Sequence, residues 1–316
     1  MKRRRARADI VLTPRIAARS GRGAREHNED DLRFGVSEDA AYAVLSDGAG
    51  GHDHGAVASD LVVRLLTQRL QAAPQVSAEA LHDAVHEAHD MLVQQQQGGV
   101  SPQQHMHATL VALWIDLPRG LALWSHVGDS RLYLLRGGCV FHVTRDDSVV
   151  QQMLDAGLIT QEQAAKHPER NRIYNCLGGP QLPLVWLANP VPVSVGDTIM
   201  LSSDGFWAHL PEEELGGAIA KQSIVDCLPS LMQVAEKRGG KKADNLTVVA
   251  MTWENESATE ADNGKKIITD GMAHNIFTTE MGASLNDKQS QYDDVTEDEI
   301  DKAIAEIQST IKKFSR

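Results

Sequence analysis

LSDGAGGHDHGAVAS, residues 45–59, joins the end of an apolar strand to a run with helical periodicity through a glycine-rich turn. Asp47 stands where the strand meets the turn, and neighbouring glycines let a ligand or a metal ion approach the backbone closely. One Asp-Gly pair at a strand end is most often a simple turn. This stretch alone therefore leaves Asp47 as a turn residue, a neighbour of a phosphate loop or a metal ligand.

Three further aspartates occupy similar places along the chain. Asp129 follows the strand-like LALWSHVG, Asp204 ends TIMLSSD, and Asp244 begins DNLTVVAM. Converging carboxylates repel one another unless a cation neutralises them, and a site made only of oxygen atoms favours Mg²⁺ or Mn²⁺. Two such ions bridged by one carboxylate hold and deprotonate a water molecule for attack on phosphorus. The four aspartates together favour a metal site over four unrelated turns.

The composition bounds the class of protein. The chain has 316 residues and a net charge of −12, so its overall charge is unfavourable for nucleic acid or an anionic membrane as the main partner. No apolar run approaches the roughly 18 residues of a membrane-spanning helix, and the basic N-terminus lacks the apolar stretch of a signal peptide. Three widely spaced cysteines without a C-x-x-C pair fit reduced thiols, and we expect a cytoplasmic protein.

The order of the elements predicts the architecture. Blocks of strands with short turns, such as HATLVALWIDL, GLALWSHVGDS and RLYLLRGG, alternate with groups of helices. This order favours antiparallel sheets covered by helices over a regular βαβ winding.

The chain divides into four predicted parts. A basic arm at 1–15 precedes a domain at 16–253, and a polar, flexible linker at 254–294 leads to an amphipathic helix at 295–316. Apolar residues recur at three and four in that last segment, which opens with a capping box. We expect this helix to dock on the domain or on a partner helix, with a frayed segment as the remaining alternative.

Six motifs occur in an order that resembles a known family. They are REHNED (25–30), SDGAGGHDHGAVAS (46–59), HVGDSRLYLLR (126–136), HPERNRIYNCLGG (167–179), SSDGFW (202–207) and ADNLTVV (243–249). The set resembles the bacterial branch of the metal-dependent PPM, or protein phosphatase 2C, family over about residues 16–253. The resemblance implies an α+β fold, a four-layer α-β-β-α sandwich in which two antiparallel sheets are flanked by helices.

The resemblance also implies roles for individual residues. Arg25 matches the arginine that grips the substrate phosphate, and Asp47 matches the carboxylate that bridges two Mn²⁺ or Mg²⁺ ions. The Gly48 carbonyl would bind the second ion, and Asp204 and Asp244 would bind the first. A water molecule between the ions would attack phosphorus directly, without a covalent intermediate.

The remaining matches lie around these ligands. Glu29 and Asp30 match acidic residues near the second ion, partly acting through water, and Asn245 would orient the first site. Asp129 matches a ligand of a third, weaker ion.

The sequence departs from the family pattern at two positions. Ala49 stands where some members carry a proton-donating histidine, and His52 and His54 are the nearby alternatives. Ala208 stands where members usually carry an acidic residue that helps to hold the third ion.

Two other patterns raise the alternatives of a nucleotide loop and a zinc site, and neither is favoured. GAGG lacks both the Lys-Ser/Thr of a P-loop and the G-x-G-x-x-G spacing, so a nucleotide loop is disfavoured. His82, His86 and His89 share a helical face and could bind zinc, but without an evident fourth ligand we expect a solvated face.

The function that this sequence predicts is a metal-dependent protein serine/threonine phosphatase. Its expected partners are phosphorylated proteins and a bacterial Ser/Thr kinase or the target of that kinase. Two alternatives remain open: a pseudophosphatase that binds phosphoproteins without turnover, and a phosphatase of a small phosphorylated metabolite.

Overall fold

A computed structural model describes residues 12–50, 54–96 and 105–255. Its first sheet is antiparallel throughout, with strand order β1-β12-β11-β7-β8. These strands are β1 Leu12–Gly21, β7 Arg131–Arg136, β8 Cys139–Val143, β11 Thr198–Ser202 and β12 Leu246–Asn255.

The second sheet is also antiparallel, with order β10-β6-β5-β3-β2. Its strands are β2 Asp30–Val36, β3 Ala40–Ala49, β5 Leu110–Asp116, β6 Leu121–Val127 and β10 Val191–Pro192. Two short strands extend it, β4 His107–Ala108 on β3 and β9 Trp186–Leu187 on β6.

Helices cover both sheets. The second sheet is covered by α1 His54–Ala72 and α2 Ala78–Gln96. The first sheet is covered by α5 Asp204–Trp207, α6 Glu212–Ile219 and α7 Ile224–Gly239. Two short helices follow β8, α3 Val149–Asp155 and α4 Gln161–Ala165. Among the described helices, none is long and apolar enough to cross a membrane.

Alternating side chains build three apolar layers. Val44 packs towards α1 and α2, whereas the next residue, Leu45, packs between the two sheets. Likewise Val248 packs towards α7 and Val249 packs between the sheets. Because successive side chains of a strand point to opposite faces, each central strand contributes to two layers. The predicted α-β-β-α sandwich is confirmed.

The topology brings the motif-bearing strand ends to one end of the sandwich. Asp30, which begins β2, lies directly opposite Asp47 of β3, and Ser202, which ends β11, pairs with Arg131 at the start of β7. The hydroxyl of Ser203 reaches from the first sheet to Asp30 of the second. The strand ends of the two sheets therefore meet there.

Strands β1 and β12 run across the two predicted edges of the domain, and the division itself stays a prediction. β1 begins at Leu12, within the predicted arm 1–15, and β12 continues to Asn255, just beyond the predicted domain edge. The rest of the arm, nearly all of the predicted linker and the whole of the predicted helix 295–316 lie outside the described residues.

Candidate metal centre

The centre of the site is a pair of carboxylates on adjacent strands. Asp30 and Asp47 are direct cross-strand partners, an arrangement that is destabilising for two like charges. Burial raises the pKa of Asp30 to about 7, although the Ser203 hydroxyl favours its charged form. Burial and repulsion from the surrounding aspartates, Asp30 first among them, raise the pKa of Asp47 well above its usual range. The pair therefore favours a bound cation.

The other sheet supplies two more carboxylates. Asp204 opens α5, and burial together with the nearby Asp244 raises its pKa to about 6. Asp244 lies two residues before β12. The prediction that Asp204 ends a strand and Asp244 begins one was wrong, because the β11 ladder stops at Ser202 and Ser203 caps the helix that follows.

Asp129 approaches from the end of β6, which confirms its predicted place after that strand. Burial and then repulsion from Asp204 raise its pKa well above the usual range. Asp129 in turn contributes to the raised pKa of Asp47. The structure therefore brings all four aspartates of the sequence pattern, and Asp30 with them, into one electrostatically coupled group.

Ser203 joins the two sheets at this group, a role that the sequence pattern did not predict. Its Oγ donates to Asp30 Oδ2 at 2.7 Å and accepts the Thr247 N–H at 2.9 Å. Asp30 Oδ1 and Asp204 Oδ1 are buried without a hydrogen-bond partner. Buried polar atoms are normally paired, so these two oxygens are free to bind a cation. A serine directly before a candidate ligand was the only available sequence cue.

Thr109 fixes the backbone of Asp47 and was also missed. The Asp47 N–H donates to Thr109 Oγ1 at 3.0 Å, and the Thr109 N–H donates to the Asp47 carbonyl at 2.8 Å. The hydroxyls of Thr109 and Ser130 are 2.7 Å apart. The bridging candidate is thus held by its main chain, which leaves its carboxylate available.

Asn245 holds the loop that carries the predicted phosphate ligand. Its Nδ2 donates to the Arg22 and His27 carbonyls at 3.0 and 2.9 Å, and its Oδ1 accepts the Glu29 N–H at 2.8 Å. Three bonds from one side chain therefore set the path of residues 22–29 across the site. Glu29, partly buried, ends this loop beside Asp30.

Arg25 lies on that loop and reaches the metal centre. Its Nη2 donates to Asp244 Oδ2 at 2.6 Å, and its side chain remains 56% exposed. An exposed guanidinium at the edge of a carboxylate group is placed to receive an anion from solvent, because its fork of donors matches phosphate oxygens.

Gly48 allows the backbone to pack closely beside Asp47. A Cβ at this position would lie 1.9 Å from the Gly55 carbonyl oxygen near the start of α1. The Gly48 N–H donates to the Glu29 carbonyl at 3.0 Å. A side chain here would separate β3 from α1, so the packing requires glycine at this position.

The types of donor atom at this site suit a divalent cation, although the side chains are not arranged as a closed coordination shell. Within residues 12–50, 54–96 and 105–255, no three His, Cys, Asp or Glu side chains are placed so that they could hold a metal ion. Asp244 is turned towards Arg25, and the predicted set relies partly on a backbone carbonyl and on water. Unpaired carboxylate oxygens, mutual repulsion and the lack of nitrogen or sulfur donors still fit Mg²⁺ or Mn²⁺.

Asp146 adds to the repulsion that raises the pKa of Asp129, whereas position 208 carries alanine. The indole N–H of Trp207 donates to the Asp129 carbonyl at 3.0 Å, and exposed Ala208 follows it as the C-cap of α5. His54 begins α1, whereas His52 lies outside the described residues.

The histidines of α2 do not form the solvated face that was predicted. His89 is buried and its Nδ1 accepts the Gly178 N–H at 3.2 Å, so that part of the prediction was wrong. His82 and His86 are partly exposed, with their Nε2 atoms 3.2 Å apart.

Comparison with known proteins identifies the family. The family model described as protein phosphatase 2C matches residues 18–247. The chain belongs to the protein phosphatase 2C family. The predicted resemblance is thereby confirmed.

Two curated relatives of this phosphatase 2C chain illustrate how far the similarity extends. The serine/threonine protein phosphatase PstP of Mycobacterium tuberculosis is 35% identical over 245 residues, 77% of this chain and 45% of PstP. The chain thus spans about half the length of that relative. The serine/threonine phosphatase stp of Listeria welshimeri is 32% identical over 73% of this chain and 92% of its own length.

A solved structure of the same family agrees with the fold. The catalytic domain of PstP in complex with two manganese ions matches with a TM-score of 0.65 and 31% identity. The match covers 77% of this chain and all of that domain. Two manganese ions are therefore known in a phosphatase 2C domain of this architecture.

Proposed function

We propose that this chain is a metal-dependent protein serine/threonine phosphatase that acts in the cytoplasm. The observation that carries the proposal is the group of five aspartates, drawn from both sheets, beside the exposed Arg25. Both named relatives are serine/threonine phosphatases, which supports the same substrate class here.

Asp47 would contact two ions, with Asp204 and Asp244 holding the first and the Gly48 carbonyl the second. Glu29 and Asp30 would support the second ion directly or through water, and a third, weaker ion would lie at Asp129. Two bound divalent cations would supply Lewis acidity and a water molecule of lowered pKa as the nucleophile.

Arg25 would bind the phosphoryl group of the substrate. In the structure its guanidinium pairs with Asp244, so binding of a phosphate exchanges one anionic partner for another. Asn245 maintains the loop that presents Arg25. Phosphorylated proteins are the proposed substrates, and a bacterial Ser/Thr kinase or its target is the proposed partner.

The test is hydrolysis of a phosphothreonine peptide with Mn²⁺, with Mg²⁺ and in EDTA. We expect turnover only with added metal, and loss by several orders of magnitude in Asp47→Asn with the fold retained by circular dichroism. Near-normal turnover in that variant would contradict the two-metal assignment. Metal and phosphopeptide binding without turnover in the unmodified chain would instead assign a pseudophosphatase, and selective turnover of small phosphate esters would assign a metabolite phosphatase.

A further inference from the structure

An exposed row of apolar side chains lies beside the metal centre. In the segment 182–186, alternate residues point outwards: Leu182 is 74% exposed, Leu184 53% and Trp186 43%. Pro183 is buried, and Val185 packs against the core under α1 and α2. This alternation is that of an extended segment with one face on the protein and one face in solvent.

Tyr174 completes the row, which we name the apolar platform (Tyr174, Leu182, Leu184 and Trp186). The Tyr174 hydroxyl and the Trp186 indole N–H both donate to Asp147 Oδ1, at 3.3 and 2.8 Å. The two rings therefore meet over one carboxylate oxygen. Tyr174 is 47% exposed, so both rings keep much of their surface in solvent.

The platform is fixed in place. The Asn175 side chain binds both backbone groups of Leu184. Its Nδ2 donates to the Leu184 carbonyl at 2.8 Å, and its Oδ1 accepts the Leu184 N–H at 3.0 Å. Trp186 belongs to β9, and its ring stacks on His126 of the neighbouring strand β6. An apolar surface held by this many polar contacts is not a frayed loop. Ordered, contiguous apolar surface of this kind marks interaction sites.

Asp147 connects the platform to the metal centre. Its second oxygen, Oδ2, accepts the Gly128 N–H at 2.9 Å, and the Asp147 N–H donates to the Gly128 carbonyl at 3.0 Å. Gly128 directly precedes Asp129. Asp147 is 1% exposed, so a single buried carboxylate ties the rings of the platform to the loop that carries a candidate metal ligand.

We propose that the apolar platform binds an apolar side chain of the phosphoprotein substrate close to the phosphorylated residue. The inference rests on the proposed phosphatase function and adds to it a sequence preference. A polypeptide advances about 3.3 Å per residue when extended. The Trp186 indole and the Gly128 N–H are hydrogen-bonded to the two oxygens of the Asp147 carboxylate, and Gly128 precedes the candidate ligand Asp129. Because the platform is this close to the metal centre, a substrate residue a few positions from the phosphorylated residue reaches it.

The test compares two variants whose substitutions remove no side-chain hydrogen bond of the described structure. The variant Leu182→Ser/Leu184→Ser makes the platform polar, and Val195→Ser is the matched control. Val195 is 47% exposed but lies before β11, at the end of the sandwich opposite the metal centre. Each form is assayed with Mn²⁺ on two phosphothreonine peptides of equal length and charge, flanked by Leu and Phe or by Gly and Ser, and on para-nitrophenyl phosphate.

We expect the unmodified chain to prefer the apolar peptide about tenfold in kcat/KM, the effect of burying roughly one large apolar side chain. The double variant should lose that preference while its activity on the Gly/Ser peptide and on para-nitrophenyl phosphate stays unchanged. Val195→Ser should keep the preference. Equal kcat/KM for both peptides in the unmodified chain, or a preference that survives in the double variant, would overturn the proposal.

Two further measurements distinguish substrate binding at the platform from a loss of the phosphatase function and from self-association. If no phosphate ester is hydrolysed, the phosphatase function fails, and fluorescence anisotropy with labelled forms of the same two peptides tests the platform by itself. Tighter binding of the apolar peptide that is lost in the double variant would uphold the platform proposal. Equal affinities of the unmodified chain for the two peptides would overturn it. If sedimentation shows a dimer that the double variant dissociates without any change in peptide preference, the platform is a self-association surface and the proposal is wrong.

Discussion

The cost of burying the charged Asp30 carboxylate predicts that, without bound metal, the variant Asp30→Asn is more stable than the unmodified chain. Asp30→Asn keeps the shape of the side chain and an acceptor for the Ser203 hydroxyl but removes one charge. The folded pKa of about 7 exceeds the ordinary value of 3.8 by about three units. At 1.36 kcal/mol per unit, the charged form costs up to about 4 kcal/mol, and relaxation of the site reduces this to about 2–4 kcal/mol.

The sign of the pH dependence follows from the raised pKa. The cost is absent below the unfolded value, grows as the pH rises from about 4, and is complete above about 7. We therefore expect Asp30→Asn in EDTA to raise the free energy of unfolding at pH 8, and this gain to disappear near pH 4.

Urea unfolding followed by circular dichroism at both pH values measures the effect. Asp39→Asn is the matched control, because Asp39 is exposed at the other end of the same β2–β3 hairpin and should change stability little at either pH. With Mn²⁺ present, Asp30→Asn should lose activity although it is the more stable protein in EDTA. A variant that is no more stable than the unmodified chain at pH 8, or a gain equal at both pH values, would refute the reasoning.

Three other changes test separate parts of the site. Arg25→Ala should raise KM for a phosphopeptide by about 10- to 150-fold with a smaller effect on kcat, since a charged hydrogen bond contributes about 1.5–3 kcal/mol; unchanged steady-state kinetics would place Arg25 outside the site. Deleting residues 257–316 should leave phosphopeptide turnover within a few-fold, because no proposed ligand lies there, and a folded truncation without metal-dependent turnover would move the domain boundary. Ala208→Asp adds a carboxylate near Asp129 and should lower the Mn²⁺ concentration needed for full activity; calorimetric titration that finds a tight third site already in the unmodified chain would contradict this.

The order of strand and helix patterns predicted antiparallel sheets covered by helices, and the family resemblance implied their arrangement in four layers. Val44 and Leu45 are adjacent apolar residues whose side chains point to opposite faces of β3. Consecutive apolar residues of this kind are expected in a strand that is covered on both faces. The sequence also placed Asp129 just after its strand, whereas the prediction that Asp47 ends a strand was wrong, because β3 continues to Ala49 and pairs there with β4.

The contacts that join distant segments could not be predicted. Ser203 and Asp30 are 173 residues apart, and their hydrogen bond depends on how the two sheets face each other. The direct pairing of Asp30 with Asp47 depends on a strand register that local patterns do not determine. His89 was misread because its partner, the Gly178 N–H, is 89 residues away.

The division of the proposed ligands between two sheets predicts a second role for the inner core. Leu45, Leu201 and Val249 pack between the sheets a few residues from Asp47, Asp204 and Asp244. Sheets packed face to face lie about 10 Å apart, and the volume of these side chains sets that gap. The inner layer thus sets the width of the metal centre. A substitution in this layer can therefore change the metal affinity even when the sandwich stays folded.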